Sequence, residues 1–162
     1  MAYKDLHSFI KALEANNEIR YIDARVSTEL EITEITDRVS KANGPALLFR
    51  NVENSRYPVL MNALGSYKRM CMALEVENLN DIAAEISQYL DLKNYLTVRN
   101  IIKSFPRLFR LLNVFPRKLR RRGECQEVIE TNVDLFSLPV LKCWPEDAGK
   151  FITLPLVFTK DL

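Results

Sequence analysis

Residues Thr28 to Val52 read TELEITEITDRVSKANGPALLFRNV. Leu30, Ile32, Ile35 and Val39 recur at helical spacing and make one apolar face. Thr28 stands ahead of them with Glu31 three residues on, the spacing of a capping box. Gly44, followed by Pro45, lies just past the last apolar position and reads as the helix stop. The next residues, PALLFRNV, form a short run of strand character. After the polar turn Glu53-Asn54-Ser55-Arg56 comes a second such run, YPVLMNAL. A helix leading into a strand, with that strand turned back on another, predicts helices packed on a sheet.

The neighbouring segments extend this alternation. Asp5 can cap a helix carrying Leu6, Phe9, Ile10 and Leu13, which should stop at Asn16-Asn17. Glu18 to Val26 reads as a half-buried strand. Ser66 to Ala73 reads as a short helix. Asn80 is placed to cap DIAAEISQYLDL, with Ile82, Ile86 and Leu90 at four-residue steps. The expected fold class is therefore α/β (α+β), helices on a sheet.

Composition limits the function classes. The chain has 162 residues, 48% hydrophobic and 27% charged, ordinary globular values. No apolar stretch reaches the roughly 18 residues of a membrane span. The start has acids among its apolar residues and lacks signal-peptide architecture. Cys71, Cys125 and Cys143 form no C-x-x-C, and an odd number without a secretion signal predicts reduced thiols in the cytoplasm. One histidine, His7, excludes zinc sites built on paired histidines, and it reads as a surface residue of the first helix. The four glycines are far apart, so neither a P-loop nor a G-x-G-x-x-G turn is present. A nucleophile elbow G-x-S-x-G is also missing.

Residues 95 to 122 change character. Arg99, Lys103, Arg107, Arg110, Arg117, Lys118, Arg120, Arg121 and Arg122 lie in a stretch with no acid, although the whole chain carries a net charge of only +2. Pro106 would kink or split a helix there. Such a segment could meet phosphates. No stacking aromatics or groove-reading motif accompany the charge, so a solvated face or a protein interface is the favoured reading over nucleic acid. Beyond Gly123 the pattern shifts to short strand-like pieces, CQEVIE and NVDLFSLPVLKCWP, broken by Pro139 and Pro145. A domain boundary is therefore expected near Arg120 to Gly123, giving 1–122 and 123–162. The chain closes on the apolar run Phe151 to Thr159, which as a strand needs partners for its backbone groups.

Three segments, in order, resemble the UbiD decarboxylase family: LEITEITDRVSKANGPALLF, YPVLMNALGSYKRMCMAL and CQEVIETNVDLFSLPVLKCWPEDAGKFIT. The third is the most specific, with its Trp-Pro-Glu-Asp-Ala-Gly turn and the Ile-Thr that begins a strand. The resemblance implies an N-terminal α/β domain followed by a split β-barrel that binds flavin. It implies a non-oxidative carboxy-lyase acting on aromatic or α,β-unsaturated carboxylic acids, including quinone precursors. It also implies prenylated FMN held with Mn²⁺ and often K⁺, and a homo-oligomer.

The family's metal ligands and catalytic Arg and Glu residues lie beyond its Ile-Thr strand, so none is carried onto this chain. No catalytic or metal residue is assigned. Thr153 is the one position that the resemblance brings near the flavin site, against the plainer reading of a strand threonine. Glu146 and Asp147 read as turn caps. On this reading the chain is the N-terminal portion of a longer enzyme, inactive alone, with its last residues forming the first barrel strands. The alternatives are a non-catalytic oligomerisation or binding module, and a nucleic-acid binder acting through 99–122.

Overall fold

The computed structural model describes residues 3–90, 122–123 and 126–152. The chain groups into two compact units, Met1–Glu77 with Asp134–Leu162, and Asn78–Val133.

In the first unit, helix α1 (Leu6–Ala15) starts as the sequence predicts. Asp5 is extended and accepts the Ser8 amide at 2.8 Å. The helix ends at Asn16, and Asn17 turns left-handed at φ 56°. Strand β1 is only Ile19–Ile22, shorter than the run Glu18 to Val26, because β2 (Ala46–Phe49) offers it four partners. Beyond Ile22 a single bridge, Val26 to Val52, continues the pairing. Strand β3 (Val59–Met61) runs antiparallel to β2, with Leu48 opposite Leu60. The sheet order is β1-β2-β3, and β1 and β2 are parallel.

Helix α2 (Glu31–Lys41) joins the two parallel strands, and its start corrects the expected capping box. Thr28 does not cap it. The Glu31 carboxylate reaches back to the Ser27 amide at 2.7 Å, and Leu30 holds the N-cap position at φ 64° without a side-chain bond. The Glu31 amide also donates to the Glu29 carbonyl at 2.8 Å, closing a γ-turn of the rare positive-φ kind around Leu30. At the other end, Asn43 takes the left-handed conformation (φ 53°) expected of Gly44. Gly44 is needed for space, since a Cβ there would meet Val39 Cγ1 at 2.6 Å.

The period of two along the strands sorts the core into two layers. On one face Leu47 and Phe49 pack with Ile32 of α2 and with Val26 and Val52. On the other, Ala46 packs with Phe9 and Leu13 of α1, and Met72 and Ala73 of helix α3 (Tyr67–Leu74) close over them. Ser66 caps α3 by accepting the Arg69 amide. Helices therefore cover both faces of a mixed three-stranded sheet.

In the second unit, helix α4 (Leu79–Leu90) begins before the expected cap. Asn80 lies inside it, and Asn78 caps instead, its Oδ1 accepting the Asn80 amide at 2.8 Å. The basic segment falls almost wholly outside the described residues. Of the expected strand CQEVIE, residues 126–130 form no strand. The Gln126 amide turns back to the Gly123 carbonyl, no strand among the described residues takes up the backbone, and Val128 stays 85% exposed. From 134 to 152 the regular structure is one 3-10 turn, Leu135–Ser137, and one bridge from Lys142 to Glu29. Phe151 and Ile152 are not in a strand. The rest of the expected terminal strand, 153–159, lies outside the described residues. None of the described helices is long and apolar enough to cross a membrane.

Candidate functional site

Residues 134–152 return to the first unit and strap the loop ahead of α2. Leu141 packs on the α2 core layer. The Lys142 amide donates to the Thr28 carbonyl (3.1 Å) and the Leu30 amide donates to the Lys142 carbonyl (3.0 Å). Lys150 Nζ then donates to Thr28 Oγ1 at 2.6 Å. Thr28 is only 5% exposed, and its hydroxyl faces the strap rather than its own helix. The Phe151 amide closes the hairpin-like excursion by donating to the Leu141 carbonyl at 3.2 Å.

Within that excursion lies the Trp144-Pro145-Glu146-Asp147-Ala148-Gly149 turn. Asp147 Oδ2 accepts the amides of Cys143 and Trp144 at 3.2 and 2.9 Å, the bonding of a turn cap, as read from sequence. Glu146 is exposed. The strap, β3 and Leu6 enclose an apolar cleft of about 660 Å³, walled by Val59, Leu60, Val140, Leu141 and Phe151. Cys143 is its one thiol. Among the described residues its lining offers apolar contact and that thiol, with no carboxylate, amine or imidazole.

Thr153, the residue proposed to meet a flavin, lies outside the described residues, and the described chain reaches Ile152 beside this cleft. His7 is exposed on α1. Among the described residues no three His, Cys, Asp or Glu side chains are close enough to share a metal ion. The described residues therefore do not fit a divalent-metal site, and no step of chemistry is derived through one.

Sequence reading missed the most deeply buried cation among the described residues. Arg69 of α3 is 1% exposed. Its Nη1 donates to Glu18 Oε2 at 2.8 Å and its Nε to the Asn62 carbonyl at 3.1 Å, while Nη2 has no partner. Lys68 Nζ holds the other Glu18 oxygen at 2.8 Å. The Asn62 amide in turn donates to the carbonyls of Gly44 and Pro45. This network ties α3, the start of β1 and the end of α2 together, so it serves the architecture. The sequence held no local signal for it, since its acid lies 51 residues away.

Comparison with known proteins agrees with this architecture. Residues 10–89 match the 3-octaprenyl-4-hydroxybenzoate carboxy-lyase N-terminal domain, and residues 117–162 match the Rift-related domain of that carboxy-lyase. A protein of Aquifex aeolicus is 45% identical over 161 residues, covering 98% of this chain and 33% of its own. One from Archaeoglobus fulgidus is 41% identical over 161 residues, covering 99% and 33%. The chain thus spans about a third of the length of these relatives. Among solved structures, vanillic acid decarboxylase of Sedimentibacter hydroxybenzoicus in its closed form matches with a TM-score of 0.62 at 22% identity, over 91% of this chain and 29% of that one. An evolved dimeric form of the UbiD-class enzyme HmfF from Pelotomaculum thermopropionicum, in complex with prFMN, matches with a TM-score of 0.58 at 18% identity, over 91% and 30%. These two likenesses speak for the fold. With two domain matches of one family following each other along the sequence, the chain belongs to the UbiD family, of which it carries the N-terminal portion.

Proposed function

We propose that this chain is the N-terminal portion of a cytoplasmic UbiD-type decarboxylase. The whole enzyme removes carbon dioxide non-oxidatively from an aromatic or α,β-unsaturated carboxylic acid, in quinone biosynthesis among other settings. The observation that carries the proposal is the ordered pair of family matches, the N-terminal domain at 10–89 followed by the Rift-related domain at 117–162. Residues 1–122 are read as the α/β domain and 123–162 as the beginning of the flavin-binding split β-barrel. Prenylated FMN is the proposed cofactor of the whole enzyme, supported by the prFMN complex of HmfF, with Mn²⁺ and K⁺ beside it. Within this chain Thr153 is the proposed flavin contact. The working enzyme is proposed to be a homo-oligomer.

The chain alone is proposed to be inactive. Its cleft is apolar, and its described acids and histidine do not converge. One threonine hydroxyl supplies about 0.5–1.5 kcal/mol net, against the roughly 4 kcal/mol of even millimolar affinity.

The test compares two products of the gene, the chain ending at Leu162 and the reading frame carried to its stop codon, both made in cells that supply prenylated FMN. Carbon dioxide release from cinnamate-like and hydroxybenzoate-like acids should come from the longer product alone. A reading frame that encodes no barrel, with no separate chain supplying one, sinks the enzyme reading. Micromolar flavin binding by the 162-residue chain would show that the site is misplaced.

A further inference from the structure

We propose that Thr28 and Lys150 are positioning residues, which hold Phe151 and Ile152 in place beside the apolar cleft. Thr28 holds both arms of the strap. Its carbonyl accepts the Lys142 amide at 3.1 Å, and its hydroxyl accepts Lys150 Nζ at 2.6 Å. Between those arms the Trp144–Gly149 turn is held by its own cap, Asp147, and makes no further bond to the loop ahead of α2.

Three features make this more than a surface contact. Lysine is among the side chains that lose most rotamer freedom when ordered, so capture by a residue 122 positions away needs a preorganised acceptor. Thr28 is such an acceptor, 5% exposed and fixed through its own backbone. The hydroxyl is turned to the strap and not to its own helix, whose N-cap, Leu30 at φ 64°, has no side-chain bond. Finally, without Lys150 the arm bearing Phe151 keeps one backbone tether, the Phe151 amide on the Leu141 carbonyl. The consequence for a flavin at Thr153, two residues beyond Phe151, rests on the function proposed above. The pinning itself does not.

The test is residue-resolved amide hydrogen exchange on the 162-residue chain and its Thr28→Val, Lys150→Met, Lys150→Arg and double Thr28→Val/Lys150→Met variants. Thr28→Val keeps shape and removes the acceptor. Lys150→Met keeps the stem and removes the donor. Exchange at Phe151 should accelerate at least tenfold in either single variant and no further in the double. Lys150→Arg should stay within threefold of wild type, as should the Ile32 and Leu47 amides throughout.

Unchanged exchange at Phe151 in Lys150→Met overturns the proposal, and so does equal acceleration at Phe151, Ile32 and Leu47, which would mark a general loss of stability. Lys150 is exposed at the residue level, so Lys150→Met decides the matter even should Thr28→Val fail to fold. No flavin enters the measurement. A negative result therefore leaves the decarboxylase reading standing, and failure of that reading leaves this result standing.

Discussion

Arg69 and Glu18 lie 51 residues apart in sequence and 2.8 Å apart in space, one 1% exposed and the other 18% by side chain. Removing one partner of a buried pair leaves the other uncompensated in a poor dielectric, which costs about 3–5 kcal/mol. Glu18 keeps some solvent and its bond to Lys68, so Arg69→Met should destabilise by about 1–3 kcal/mol in urea unfolding, below that range. Lys68 binds the same carboxylate at the same distance but is 58% exposed, so Lys68→Met should cost less than about 1 kcal/mol. Equal costs for the two would mean that burial is not what distinguishes them.

The same carboxylate sets an acid limb. The hydrogen bond from Lys68 does most to hold Glu18 below the ordinary glutamate value of 4.5; partial burial opposes it, and Arg69 adds to it. A group whose pKa is lowered on folding stabilises above its unfolded value, and that contribution is lost as pH falls through the folded value. Unfolding midpoints should therefore decline as pH drops below 4.5, and Glu18→Gln should flatten that decline. Asp23 is also lowered, by its hydrogen bond with Arg50, but both side chains are exposed. Asp23→Asn should leave the limb almost unchanged.

Two glycines should behave oppositely. A Cβ at Gly65 would collide with Asn62 Oδ1, and the Asn62 amide holds the Gly44 and Pro45 carbonyls. Gly65→Ala should lower stability by about 2 kcal/mol through the displaced network. Nothing lies within 4 Å of a Cβ at Gly149, so Gly149→Ala should stay within about 0.5 kcal/mol. Thermal midpoints of the two variants measure the contrast.

Ile32 and Leu13 are both fully buried, in the layers on opposite faces of the sheet. Each truncation to alanine should cost about 2–4 kcal/mol. They share no contact across the sheet, so the double variant, if it still folds, should equal the sum within about 0.5 kcal/mol. A clear shortfall would show that the two layers are coupled.

Local signals survived into the fold where the deciding partner was itself local. Asp5 caps α1 because Ser8 is three residues away, and β2 and β3 are consecutive strands that pair antiparallel. The capping box at Thr28 failed although its spacing was right, because the helix starts only at Glu31 with Leu30 at the N-cap, and the Thr28 hydroxyl meets a lysine 122 residues on. Asn80 lost the α4 cap to Asn78, since composition does not choose between two asparagines two residues apart. Arg69 was invisible for a similar reason, as no periodicity links it to an acid before β1. Of the candidate site, the Asp147 turn was readable, being closed by its own neighbours. The family resemblance was readable from three segments, whereas the strap that joins the last of them to Thr28 was not.

That strap bears on how the protein is made. The first unit is discontinuous, and its closing bonds join Ser55 to Ser137 and Thr28 to Lys150. On the ribosome, Met1–Glu77 emerges first and then waits while Asn78–Val133 is synthesised, several seconds at about 5–20 residues per second. During that interval the Thr28 hydroxyl has no lysine and the core lacks Leu141. The nascent sheet passes through a stage in which its α2 layer is open on one side, and the tie to Thr28 forms only when Lys150 has left the exit tunnel.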